Sequence, residues 1–284
     1  MAKDGGARRA RNTPASPDSA AVDPDNDSSI LPSKGRQSFG QHLGAFLKEL
    51  FAVVVGAVIV ASLLRGFVGQ MFIIPSISMQ NTLQVGDRVV VEKLSSIKRG
   101  QVVVFANPGG WLTGPVPPER GPVGRALEFV GVLPDTGTEH LIKRAVGMPG
   151  DHVVCCDTQG RITVNDVPLD ESSYLYRGPD GVLADPSKIR FDVVVPSERI
   201  FVLGDNRAAS RDSRCHLNDT GAGQTKGENA FVPLDLAVGR AVAVAWPVSD
   251  AHGLPVPTTY AGVPAPVEPA PALPVVHAGA DASC

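Results

Sequence analysis

Leu50 to Leu64 (LFAVVVGAVIVASLL) is an uninterrupted apolar run, and no other stretch restricts so strongly how this chain can fold. Fifteen helical residues reach about 22 Å, short of the ~30 Å hydrocarbon core of a bilayer. Lys48 and Arg65 bracket the run and can snorkel, so that Ala45–Leu64 or Leu50–Phe72 would each reach across. A buried core helix, or the apolar part of a cleaved export signal, has the same hydropathy. Cleaved signals lie at a chain's start, whereas some fifty residues precede this run. The sequence therefore predicts a single membrane anchor over 45–72. Lys34, Arg36 and Lys48 come just before the run, against Arg65 alone in the twenty residues after it. That asymmetry puts the N-terminus in the cytoplasm and the large C-terminal part outside the plasma membrane.

The flanks differ in kind. Up to about Arg36 the chain is Ala, Asp, Pro, Ser and Arg without an aromatic residue, too little apolar area to offset ordering entropy, and residues 1–44 are predicted to be disordered. Beyond Pro75, β-rich runs alternate with turns: Arg88–Glu92, Gln101–Phe105, His140–Val146, His152–Val154, Arg161–Val164, Ile200–Leu203 and Ala241–Trp246. Asn165-Asp166 suggests a tight turn, and 73–250 reads as one mostly β domain with long loops, Gly110 to Gly137 being a surface excursion. Seven prolines between Pro255 and Pro274 exclude regular helix or central strand, so 251–284 is predicted to be a solvated, disordered tail. A net charge of -3 leaves no broad basic surface for nucleic acid. The four cysteines, Cys155, Cys156, Cys215 and Cys284, lack the spacing of a structural zinc site, and neither metal nor cofactor is expected. Outside the membrane Cys155 or Cys156 is open to bonding Cys215, whereas a ring between the adjacent pair would be strained.

Three short stretches carry chemistry in combination. Ile74-Pro75-Ser76-Ile77-Ser78-Met79 places two serines two residues apart just after the apolar run. Ile142-Lys143-Arg144-Ala145-Val146 sets one lysine in an apolar strand closed by Pro149-Gly150. Gly204-Asp205-Asn206-Arg207 is followed by Ser210, Asp212, Ser213 and Arg214, a loop dense in small polar and charged groups. Singly these are a turn, a surface lysine and ordinary loop chemistry.

Together, and in this order behind an apolar run, they closely resemble the bacterial type I signal peptidases (leader peptidases). The resemblance runs from about Ala45 to Trp246 and includes Gly86-Asp87, Val90-Val91-Glu92-Lys93 and Arg99-Gly100-Gln101. It implies an exported catalytic domain of antiparallel sheets around a coiled β core, behind one transmembrane helix. It also implies Ser78 as nucleophile, Lys143 as general base, and Ser76 joining the Ser78 backbone N–H in the oxyanion hole. Ser210 would orient the lysine, with Asp212 and Arg214 as a supporting charged pair that Arg144 joins. Ile74, Pro75, Leu83 and Ile142 would line shallow pockets for the small residues of an Ala-x-Ala motif. The implied partners are signal peptides of exported preproteins, the lipid bilayer and the secretion translocase.

The residues argue in the same direction on physical grounds. Serine needs a base, and no Gly-x-Ser-x-Gly elbow or His/Asp partner is evident; all six histidines read as surface or loop residues. A lysine can serve when neutral, but at an ordinary pKa near 10.4 only about one in 2,500 is neutral at pH 7. Apolar neighbours lower that cost, and within five residues of Lys143 the only acid is Glu139. Two rivals remain: a self-cleaving Ser/Lys repressor protease, which would need a DNA-binding module, and a catalytically inactive, membrane-tethered binding module of the same fold.

Overall fold

The computed structural model describes residues 39–63, 69–112, 121–124, 139–220, 225–278 and 284. The disorder expected over 1–44 is corrected at its end, where residues 39–44 already belong to a helix; the residues before 39 and most of the Gly110–Gly137 excursion lie outside the described residues. The chain divides into two units, Met1–Leu50 and Phe51–Cys284. In the first, the described residues are the opening turns of helix α1 (Phe39–Leu63); the second carries the rest of α1 and, among the described residues, all the β structure. Phe46, Leu47, Phe51, Val53 and Ile59 are each more than half exposed and together occupy the whole circumference of α1.

Helix α1 is followed by strand β1 (Gly69–Ile73), which corrects the expected anchor over 45–72: its last residues belong to a sheet. The cause lies in pairing. β1 runs antiparallel to β2 (Arg88–Glu92), and a Cβ on Gly69 would stand 2.5 Å from the Val91 carbonyl oxygen, so only glycine lets the two backbones approach.

The β-branched runs become strands because their side chains suit a pleated, buried surface. After β1 and β2 come β3 (Val102–Ala106), β4 (His140–Gly147), β5 (His152–Cys155), β6 (Ile162–Val164), β7 (Val167–Pro168) and β8 (Phe191–Val194). β9 (Arg199–Leu203), β10 (Val232–Pro233), β11 (Ala237–Trp246), β12 (His252–Gly253) and β13 (Val275–Ala278) complete the series. One sheet has the order β1-β2-β11-β3-β4-β9-β10 with β12 beside β11, the other β13-β8-β5-β6-β7. Every pairing is antiparallel. Asn165 and Asp166, at φ 49° and 65°, make the expected tight turn between β6 and β7. β4 lies between β3 and β9 and is buried along almost its whole length, so a polar side chain on it is held in a dry interior.

The tail departs from expectation. Residues 252–278 include β12 on β11 and β13 on β8, and Tyr260 is buried in the main core. The prolines do keep this segment out of central strands, but edge pairing and side-chain insertion require no unbroken ladder. Nor does either cysteine of the adjacent pair reach Cys215. Cys155 is bonded to Cys156 at the end of β5, and Cys215 to Cys284. Within the expected surface excursion, which opens at Gly110, Trp111 is fully buried.

Candidate active site

The Ser76–Ser78 segment is fixed from below. Ile77–Met79 forms a single 3-10 turn, Met79 is fully buried, and the amides of Thr82 and Leu83 bond back to the Met79 carbonyl. Ile74 exchanges bonds of 2.9 Å with Asp87 and Gly86, and the Ser78 carbonyl accepts the Asn206 amide at 3.0 Å. Ser78 is thereby held in place by both neighbouring loops.

Lys143, 4% exposed at the middle of β4, directs Nζ to Ser78 Oγ at 2.6 Å. Burial pulls its pKa down from 10.5 to about 8, Arg214 helping and the carboxylates of Asp212 and Asp205 opposing. At that value about one molecule in eleven carries the neutral amine at pH 7. The acids facing this lysine are thus not its chain neighbours; Glu139 accepts from Asn107 instead.

Each facing carboxylate has an arginine. Asp212 accepts Arg214 Nε and Nη2, both at 2.8 Å, and the Gly204 amide at 3.0 Å. Burial alone would raise the Asp212 carboxyl, but Arg214 holds it below its usual value. Arg144 pairs with Asp205 rather than joining Asp212 and Arg214, through Nε at 2.8 Å and Nη2 at 2.6 Å. Asp205 and its second partner Thr82 escaped the sequence reading. The signal was there in Gly204-Asp205-Asn206-Arg207, but nothing local told which acid would meet Arg144.

Ser76 Oγ lies 3.3 Å from Ser78 Oγ. Ser76 itself is extended (φ -137°, ψ 162°), and the turn after it, rather than strand periodicity, brings the hydroxyls together. Ser210 is buried and close: a Cβ on Gly204 would collide with its hydroxyl and stand 2.6 Å from the Ser78 carbonyl oxygen. The expected bond from Ser210 to Lys143 is not formed; the Ser210 hydroxyl makes no well-aligned hydrogen bond among the described residues, but it is near enough to Asp212 to help hold that carboxyl down.

Ile74, Leu83 and Ile142 are buried together with Met79 in one apolar cluster, while Pro75 is exposed above it. The three are part of the packed interior on which the Ser76–Ser78 segment ends with Met79. A cavity of about 630 Å³ borders the Ser210 loop, with Tyr176, Leu183, Lys188 and Arg211 among its walls; Ser78 and Lys143 do not line it. His216 corrects the reading of six surface histidines. It is buried, stacked on Trp111 at 4.6 Å, with Nδ1 2.6 Å from Asp219. Its Nε2 meets no partner among the described residues, so this His/Asp pair activates no serine.

A family profile described as "Signal peptidase, peptidase S26" matches residues 47–246. Signal peptidase I of Mycobacterium tuberculosis is 34% identical over 228 residues, covering 72% of this chain and 74% of that protein. The probable signal peptidase I of Mycobacterium leprae is 37% identical over 208 residues (64% and 70%). The probable signal peptidase I-2 of Synechocystis is 35% identical over 204 residues (70% and 73%).

Proposed function

The chain belongs to the signal peptidase family, peptidase S26, and on that premise we propose that it removes signal peptides from exported preproteins with a Ser78–Lys143 dyad, cutting after a small-x-small (Ala-x-Ala) motif. The observation that carries the dyad is the 2.6 Å bond from Lys143 Nζ to Ser78 Oγ inside a dry strand interior. In the neutral amine the lone pair takes the Ser78 hydroxyl proton as Oγ attacks the scissile carbonyl. The resulting ammonium gives that proton to the departing amine, leaving an ester on Ser78. Water then attacks the ester with Lys143 again as base, and the signal peptide leaves as an acid. The Ser78 N–H, at the start of a 3-10 turn, and the Ser76 hydroxyl are the donors for the oxyanion. Ser210 and the Asp212–Arg214 pair keep the lysine's surroundings in place.

The reading of specificity for small residues is supported by the packing of Ile74, Leu83 and Ile142 into one buried cluster, against which bulky side chains would find little room. α1 anchors the enzyme: 21 residues from His42 to Ser62 span about 31 Å and present apolar side chains to every side, which suits lipid and not water. With the basic residues ahead of it, the catalytic domain works at the outer face of the plasma membrane, where signal peptides emerge.

The test is cleavage of an Ala-x-Ala peptide by purified full-length protein. Ser78→Ala and Lys143→Ala should each abolish it, and the double mutant should be no worse, because the two act as a unit. Full activity in either single variant would move the chemistry elsewhere, and an inert wild type would favour the binding module. Activity should rise with pH through about 8, as Lys143 loses its proton. A half-rise near ~6.5 would point to a histidine.

A further inference from the structure

The family match ends at residue 246, at the end of β11. Beyond it the chain turns back and inserts one aromatic side chain behind the dyad. Tyr260, 5% exposed, closes the 3-10 turn Thr258–Tyr260. Its ring packs against Gly100: a Cβ there would come 2.5 Å from Tyr260 Cδ2, and Gly100 also has φ +79°. Both the space and the conformation at Gly100 therefore demand glycine. The carbonyl of this same Gly100 accepts Arg144 Nη1 at 2.6 Å.

On its other side the Tyr260 hydroxyl meets that of Tyr174 at 3.0 Å, the two rings being within 23° of parallel. Tyr174 carries the Arg144 guanidinium over its face at 4.2 Å. Two of the supports that hold Arg144, a carbonyl below Nη1 and an aromatic plane, thus rest on Tyr260. The rest of the Arg144 fork is spent on Asp205 and Thr82.

We infer that Tyr260 is a positioning residue for the Ser78–Lys143 pair, acting through Arg144; the inference rests on the Ser/Lys reading above. Arg144 covers the charge of Asp205, which faces Lys143 together with Asp212 and Arg214. Asp212 keeps its own arginine, Arg214, whatever happens to Tyr260. Around Tyr260 stand Glu171, Arg144, Tyr174 and Arg207, and Glu171 is held by Arg207. Removing the ring frees Arg144, uncovers Asp205 and admits water. Each of these changes favours the charged form of Lys143, so the lysine should titrate higher and be neutral less often.

Steady-state kinetics of full-length Tyr260→Ala, Tyr260→Leu and Tyr260→Phe, from about pH 6 to 11, decides the matter. In the Ala and Leu variants the half-rise of kcat should move up by about half a pH unit or more, which lowers kcat at pH 7 about threefold, with KM within about twofold of wild type. Tyr260→Phe keeps the ring on Gly100 and gives up only the bond to the Tyr174 hydroxyl, so its midpoint should lie between those of wild type and the Leu variant. Should the Ala variant not fold, Tyr260→Leu retains apolar bulk, and Tyr174→Leu withdraws the same support from the other side and must move the midpoint in the same direction. Folded variants with lowered melting temperature and an unmoved midpoint would overturn the positioning role alone. A wild type without an alkaline rise would overturn the Ser/Lys reading and this inference with it.

Discussion

Lys143 is an expensive residue for this fold to keep. Its pKa of about 8 in the folded chain against 10.5 when exposed means that the unfolded chain binds more protons between those values. Stability should therefore rise with pH across that window, and below about 8 the buried ammonium costs on the order of 3 kcal/mol. Lys143→Met, inactive by design, should be more stable than wild type by about that amount at pH 7, and the gain should shrink towards pH 10.5. Urea unfolding at the two pH values checks it; equal stabilities at pH 7 would mean that water reaches the lysine. Ser76 carries the complementary prediction. Its hydroxyl, 3.3 Å from that of Ser78, is needed once the carbonyl oxygen becomes an anion, so Ser76→Ala should lower kcat about 10²–10³-fold with KM nearly unchanged. A kcat within about threefold, with some lost stability, would leave Ser76 only a turn residue.

The elements were legible to different degrees, for physical reasons. Strands such as Arg88–Glu92 and His140–Gly147 announce themselves because β-branched runs bounded by turns have few other folds open to them. β1 was hidden because Gly66 to Ile74 is as apolar as the helix before it, and hydropathy does not tell lipid from a neighbouring strand. At the tail the proline rule was right about central strands but silent about edges: β13 starts just after Pro274 and needs partners on one side only. At the site, the serines, the lysine and the Ser210 loop could be found from residue types and order. The pairing of Arg144 with Asp205 could not, since it depends on how β4 meets a loop some sixty residues later.

For the molecule as a whole, the second unit is closed on itself by the bond from Cys215, in the turn after Ser210, to Cys284. Tying residues 69 apart removes freedom from the unfolded chain worth roughly 4 kcal/mol in the chain-entropy view. Cys284→Ser should lower unfolding free energy by up to that amount, measured in urea without reductant, and in dithiol, which also opens Cys155–Cys156 in both proteins, the two should be equally stable. No difference between the two proteins without reductant would mean that the pair is reduced in solution. The order of residues along the chain gives this bond a meaning for biogenesis. On the proposed topology α1 enters the membrane first, and Ser78, Lys143 and Ser210 emerge one after another. Cys284 crosses after all of them, so the covalent seal beside the Ser210 loop is set only once every catalytic residue is already outside, and a newly made copy ripens late in its own passage.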